Sequence, residues 1–378
     1  MSVVVVGAGL AGISAALTLQ EAGVEVEVFE SSDIVGGRVA TDVIDGFRLD
    51  RGFQLINDGY PELRRLDVID ELEFVHAERV VDFVTDSGVK SLGDPRQALS
   101  SIFDSSIASF GEKLAFLSFL SSKSTPGSSL EDELQASGVG NLYSRVLEPF
   151  LTGVFLTSPK YVDAGYGKAM IKTFTRGKSG LPKYGAGTLA QALAARVDVI
   201  HTDVRIDSLE QFAGSKVIIA TDMANASKLT GAHFDLEWAS STTWYHRIPE
   251  DISPSKRLLI DSDRNGPVIN SIVISNSMTE YAPNGSALLS TTTINSTNEN
   301  EVRKHLSAMW GANTTNWELI RKYEIAYSLP IFRPGQSRIK SSQISENIFV
   351  AGDYLTSGSQ NGALLAGRLA AEELLASC

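Results

Sequence analysis

The chain has 378 residues, enough for two domains, and can bury a sizeable core without disulfide or metal staples. A hydrophobic content of 43 % with 21 % charged residues excludes global disorder and a fibrous chain. The net charge of -12, from 33 basic and 45 acidic residues, repels phosphate backbones, and no basic patch offsets it, so no nucleic-acid partner is expected.

The single cysteine, Cys378, leaves no internal disulfide framework and no cysteine-based zinc site. The N-terminus runs straight into Val3–Val6 without a basic leader or a cleavage pattern, so a cytoplasmic location is the expectation. No apolar run is long enough to span a bilayer; Leu114–Leu120, interrupted by Ser118, is the longest candidate. Integral insertion is therefore not expected, while peripheral membrane contact stays open.

Val3–Val6 is a continuous β-branched run, the pattern of a strand buried on both faces. Gly7, Ala8, Gly9, Leu10, Ala11 and Gly12 follow at once, and Ile13, Ala16 and Leu17 then recur at helical spacing up to Gly23. Glu25–Glu30 alternates as a second strand. In this β-turn-α-β unit Gly7 serves the tight turn, Gly9 the approach of a pyrophosphate, and Gly12 close helix–strand packing. The helix N-terminus offers free N–H groups to phosphate oxygens. Glu30 ends the second strand at the distance of a ribose-binding acid. A Gly-rich packing turn would also carry glycines, but strand, helix and acid together favour a dinucleotide site.

Beyond Glu30 come Gly36, Gly37 and Arg38, two more positions of close backbone approach and a fixed cationic fork. Arg51-Gly52-Phe53-Gln54 supplies another glycine where the chain can pass a flat ring. The run from Val3 to Gln54 resembles the superfamily of flavin-containing amine oxidases, phytoene desaturases and protoporphyrinogen oxidases. The resemblance implies a Rossmann-like α/β FAD-binding domain and makes FAD, not NAD, the ligand of these residues. It is strong over about the first 60 residues, moderate over 183–225, and strong again over 347–370.

The middle segment, Asp203-Val204-Arg205-Ile206 followed by Lys216–Asp222, reads as strand, turn, strand. By resemblance the backbone of Val204 meets the adenine edge, and Tyr184–Leu189 marks the chain's return to the FAD domain. At the other end, Asn347–Asp353 reads as a buried strand ending in an acid. A polar loop then leads to a helix beginning at Gly362. This resembles the family's closing motif: Gly352 and Asp353 face the ribityl and phosphate region, and the backbone of Asn361, Gly362 and Ala363 meets the flavin. A helix N-terminus aimed at the flavin's N1 and C2 carbonyl would favour the reduced anion. Covalent relatives use a cysteine just before that loop, and Cys378 lies past it, so FAD is expected to be held non-covalently.

The expected organisation is an FAD domain from residues 1–75, 183–235 and 335–378. An α+β substrate domain is expected from two insertions, 76–182 and 236–334. The first insertion is helical in pattern: Ile102, Phe103, Phe110, Leu114, Leu117 and Leu120 read as an apolar wall, and Ser128 with Glu131 has capping-box spacing. The second is strand-rich over Leu258–Ile260, Val268–Ile274 and Leu288–Ile294, with a polar strand exit over Thr291–Asn300.

Lys183, Tyr184, Tyr354, Gln360 and Gln54 are the candidate pocket-lining side chains, being adjacent to FAD segments. His76, His201, His233, His246 and His305 are scattered, with no metal-binding spacing, so no metal is expected. No GxSxG elbow or Walker lysine supports acyl or P-loop phosphoryl transfer.

The expected activity is oxidation or desaturation of a small hydrophobic or aromatic molecule by hydride transfer to FAD; the electron acceptor is not legible. Amine oxidases of the family carry an aromatic residue in the closing loop where this chain has Ser359, which disfavours dedicated amine oxidation. Two alternatives stay open. One is a redox-neutral flavoenzyme of sugar-mutase type, with Arg247, Arg257 or Arg333 facing a diphosphate. The other is a dinucleotide-binding protein without turnover.

Overall fold

The computed structural model describes residues 2–93, 108–337 and 341–377. Four consecutive valines cannot alternate between core and solvent, and the first strand, Ser2–Val6, accordingly lies with all four of them buried. It sits inside a six-stranded sheet. The strands in spatial order are Ile200–His201, Glu25–Phe29, Ser2–Val6, Lys216–Ile219, Ile348–Val350 and Gln343–Ser345. All neighbours are parallel except the last pair. The fold is α/β.

The helix Leu10–Glu21 crosses behind this sheet. The closing helix, Gln360–Ala376, packs directly on it, and a Cβ at Gly367 would stand 2.0 Å from the carbonyl oxygen of Ala11. Ser14 donates its hydroxyl to the Leu364 carbonyl at 2.7 Å across the same contact. The Arg368 guanidinium grips Glu62 through two nitrogens at 2.8 and 3.0 Å, tying the closing helix to the short helix Pro61–Leu66.

The second sheet has seven strands and is mixed. Its spatial order is Glu318–Ile331, Glu237–Ile248, Ala287–Thr293, Val268–Val273, Leu258–Asp261, Val80–Thr85 and Gly88–Gly93. Alternation sends Tyr245, Ile272 and Leu288 into the core shared with the first sheet. Trp244, Val273 and Leu289 point the other way, under the helix Glu299–Trp310. His246 is wholly buried on that covered side, 3.7 Å from Glu299.

Four helices, Phe110–Ser121, Leu130–Ala136, Glu148–Phe155 and Ala164–Arg176, gather on the second sheet near Phe83 and Ile260. Lys168 is buried at their centre. Its ammonium bonds Glu133 at 3.0 Å and Ser122 at 3.1 and 3.3 Å, over the ring of Phe119.

Several local expectations are corrected. Phe110, Leu114 and Leu117 do not form an inner wall; each is about half exposed, and Phe119 is the buried residue of that helix. Ile102 and Phe103 lie outside the described residues, as does Cys378. The cap of Leu130–Ala136 is Ser129, whose Oγ accepts the Asp132 N–H at 3.0 Å, not Ser128 with Glu131. Residues 203–206 are not a strand: the strand is Ile200–His201, and the chain then leaves the sheet. The closing helix begins at Gln360, capped by Ser359, two residues before Gly362.

Candidate functional site

A cavity of about 1050 Å³ opens at the carboxyl ends of the parallel strands and continues along the second sheet. Its first half is built of backbone. Gly7 turns with φ +105°, a conformation that a side chain resists. A Cβ at Gly12 would lie 1.9 Å from the Gly7 carbonyl oxygen, so this residue closes the turn from behind. Gly9 differs: a Cβ there would have nothing within 4 Å, because it faces the open cavity. Gly9 also bridges to Gly36, bringing the second glycine pair beside the first.

Glu30 is buried, and its two oxygens are divided between turns. One accepts the Ala8 N–H at 2.8 Å; the other accepts the N–H and hydroxyl of Ser32 at 3.0 and 2.8 Å. Val204 N–H donates to the Glu30 carbonyl at 2.8 Å, which brings the middle segment to the same rim. Arg38 closes the opposite side. Its guanidinium donates to Asp353 at 2.6 Å and to the Ser328 carbonyl at 2.7 Å, and stacks near Trp238. Gln54 donates to the Arg38 carbonyl at 2.7 Å and accepts from Gln360 at 3.0 Å.

The second half is largely apolar, with Val81, Phe150, Val154, Met170, Phe174 and Ile260 among its walls, while Glu78, Arg79 and Lys256 also line the cavity. Tyr60 lies between the halves, where burial pushes its phenol up to about 12, so it remains an O–H donor at neutral pH.

Of the residues singled out from sequence, Gly7, Gly9, Leu10, Ala11, Glu30, Gly36, Gly37, Arg38, Gly52, Phe53, Gln54, Val204, Gly352, Asp353 and Ala363 all line this one cavity, as do Tyr354 and Gln360. Gly12, Asn361 and Gly362 stand behind the wall: the Asn361 side chain accepts the Glu62 N–H at 3.1 Å, and Gly362 packs on Ser357. Lys183 and Tyr184 are placed elsewhere. Lys183 pairs with Glu73 at 3.0 Å, and Tyr184 is exposed beneath Lys183 and Arg48. Arg247, Arg257 and Arg333 also lie off the cavity, each paired with carboxylates. Among the described residues no cluster has the makings of a metal site, and no helix is long and apolar enough to cross a membrane.

Sequence reasoning missed Asn270, Thr292 and Trp238, which line the cavity from the second sheet. The one local signal was an asparagine beside a serine inside a strand of valines and isoleucines.

The residues present fit FAD. The buried Tyr354 hydroxyl and the Gln360 carbonyl oxygen have no hydrogen-bond partner among the described residues, and buried polar atoms of that kind are normally satisfied. Both belong to the segment that meets the cavity beside Asp353. The space before Gly9 and the N-terminus of Leu10–Glu21 suit a pyrophosphate.

Comparison with known proteins bears on the same point. Polyamine oxidase 2 of Arabidopsis thaliana is 57 % identical over 51 residues, 14 % of this chain and 10 % of that protein. The 1-hydroxycarotenoid 3,4-desaturase of a Flavobacterium species is 36 % identical over 80 residues, 21 % of this chain and 15 % of that protein. These matches thus span only a small part of the curated relatives' length. An oxidoreductase from Methanosarcina mazei shares the fold over all of both chains, with a TM-score of 0.75 at 18 % identity. The family described as flavin containing amine oxidoreductase matches residues 10–375. The chain belongs to that family, and its cofactor is FAD.

Proposed function

We propose that the protein is an FAD-dependent oxidoreductase that oxidises or desaturates a small, hydrophobic molecule, with FAD held non-covalently. The observation that carries this reading is the continuity of one cavity from the glycine-rich turn to an apolar chamber. When bound, FAD supplies the two-electron acceptor for a hydride leaving a substrate C–H bond. The chain's own residues hold and orient. Arg38, Glu30, Asp353 and the backbone around Gly9 and Gly37 would hold the cofactor, and the apolar walls would exclude water and align the reacting bond.

Desaturation is favoured over dedicated amine oxidation. Ser359 spends its hydroxyl capping the closing helix and offers no aromatic wall. The apolar chamber would also desolvate an ammonium group. The two sheets are read as the frames of two units: an FAD unit around the parallel sheet and a substrate unit around the mixed one, with boundaries proposed at 1–75, 183–235 and 335–378 for the first and 76–182 and 236–334 for the second.

The test is an absorbance spectrum of the purified protein followed by anaerobic titration with a substrate panel. Flavin bands released on denaturation, with bleaching by a polyene or porphyrinogen and not by amines, are expected. A protein that cannot be reconstituted with FAD would overturn the reading.

A further inference from the structure

Strand register places one row of side chains across the mixed sheet. Phe83 pairs with Ile260, Ile260 with Asn270, Asn270 with Thr292, Thr292 with Thr243, and Thr243 with Tyr323. The row begins apolar and becomes polar at Asn270. At its far end the polar groups are engaged: the Thr243 hydroxyl accepts the Phe53 N–H at 3.2 Å, and Tyr323 donates to Asp42 at 2.6 Å.

The two residues between are not engaged. Asn270 and Thr292 are 5 % and 4 % exposed, and both line the cavity. Among the described residues the Thr292 hydroxyl has no hydrogen-bond partner, and no hydrogen bond engages the Asn270 side-chain amide. Around them stand Ile260, Ile272, Phe150 and Val154. Across from Asn270 the helix Glu148–Phe155 presents Gly153, where a Cβ would sit 3.3 Å from the amide nitrogen. The smallest residue therefore faces the amide and leaves it open to the cavity.

A buried hydroxyl without a partner is costly unless something that enters the cavity satisfies it, and the Asn270 amide beside it lines the same cavity. Both are neutral, and each can donate and accept. They match a neutral carbonyl or hydroxyl, whereas a carboxylate or an ammonium would be desolvated there with no opposite charge in the row. We propose that Asn270 and Thr292 form a hydrogen-bonding station for a neutral carbonyl or hydroxyl group on an otherwise apolar substrate. The station lies next to Thr243, which fixes Phe53 in the cofactor half, so it would set how far the substrate reaches toward the cofactor. The proposal rests on the reading of this chamber as the substrate site.

The test is equilibrium dialysis of the FAD-loaded protein at neutral pH against 2-naphthol, 2-methylnaphthalene and 2-naphthylmethylammonium. Wild type is expected to bind the naphthol about tenfold more tightly than the hydrocarbon, as one well-made buried hydrogen bond allows. The ammonium probe should bind weakest. Thr292→Val and Asn270→Leu, both matching the native residues in heavy-atom count and branching, should each reduce the naphthol preference without weakening hydrocarbon affinity or lowering the melting temperature.

Equal affinity for naphthol and hydrocarbon, binding of neither, tightest binding of the ammonium probe, or full preference in both variants would overturn the station. Released-flavin absorbance reads the cofactor separately. Loss of naphthol selectivity in a flavin-loaded protein sinks the station alone. Selectivity in a protein that never takes up FAD sinks the proposed function alone.

Discussion

Arg38 and Asp353 are 315 residues apart in the chain and 2.6 Å apart in space. Asp353 is buried, while the Arg38 side chain is partly open to the cavity. The pair joins the loop after the second strand to the end of the Ile348–Val350 strand, where both motifs meet the cofactor space. Arg38→Ala is expected to weaken FAD binding by about 10- to 100-fold, the range for a hydrogen bond to a charged group. Asp353→Asn should fall in the same direction but by less, because the amide oxygen still accepts from Arg38. Flavin fluorescence quenching during reconstitution measures both; unchanged affinity in Arg38→Ala would remove Arg38 from the site.

Gly9 and Gly12 belong to one motif and should fail in different ways. Gly9→Ala meets only open space, so the apoprotein should melt within about 1 kcal/mol of wild type while losing FAD. Gly12→Ala drives a methyl group into the Gly7 carbonyl and should destabilise the apoprotein by about 3 kcal/mol. Denaturant melts with and without FAD separate the two. Equal destabilisation by both would mean that Gly9 is a packing residue.

His246 makes stability depend on pH. Burial, then the nearby Arg303 charge, lower its titration from 6.5 to about 4, with Glu299 opposing. The unfolded chain takes up the proton first as pH falls. Stability from this residue is therefore complete above about pH 6.5 and drains away towards pH 4. Between pH 7.5 and 5 the wild type should lose about 2 kcal/mol more than His246→Leu, at 1.36 kcal/mol per pH unit below the unfolded value. Urea melts at the two pH values give the comparison; parallel losses would show that another group governs acid sensitivity.

Lys168 is a structural cation, not a catalytic one. Lys168→Met leaves the buried side of Glu133 without its counter-charge and should cost about 3 kcal/mol. FAD content of the folded fraction should not change. A variant that keeps its stability but loses FAD would reverse that assignment.

What the sequence made legible was local. The valine run, the glycine spacing and Glu30 sit within 30 consecutive residues, and their geometry follows from their own dihedral and packing needs. The placement of Asp353 at the cofactor came through family resemblance; its pairing with Arg38 was not legible, since no local rule brings residues so distant together. Lys183 and Tyr184 were placed at the pocket because they neighbour a flavin segment in sequence. The strand Ser179–Pro182 instead carries the chain out to Glu73.

Phe110, Leu114 and Leu117 show a related limit. Periodicity identified their helix, but Phe119 on the same helix is the residue that the core takes. Asn270 and Thr292 were illegible for a further reason. Their adjacency is a product of register between strands, and register is set by the whole sheet.

The order of strands in the parallel sheet carries a consequence for biosynthesis. Ser2–Val6, made before the other strands of this sheet, takes Lys216–Ile219 as one neighbour, and that strand in turn waits for Ile348–Val350. At roughly 5–20 residues per second, the nascent chain exposes its glycine turn for about 20–70 s before Asp353 can reach Arg38. The cofactor clasp thus forms only after Asp353 has been made, and FAD capture reports on a chain extended at least that far.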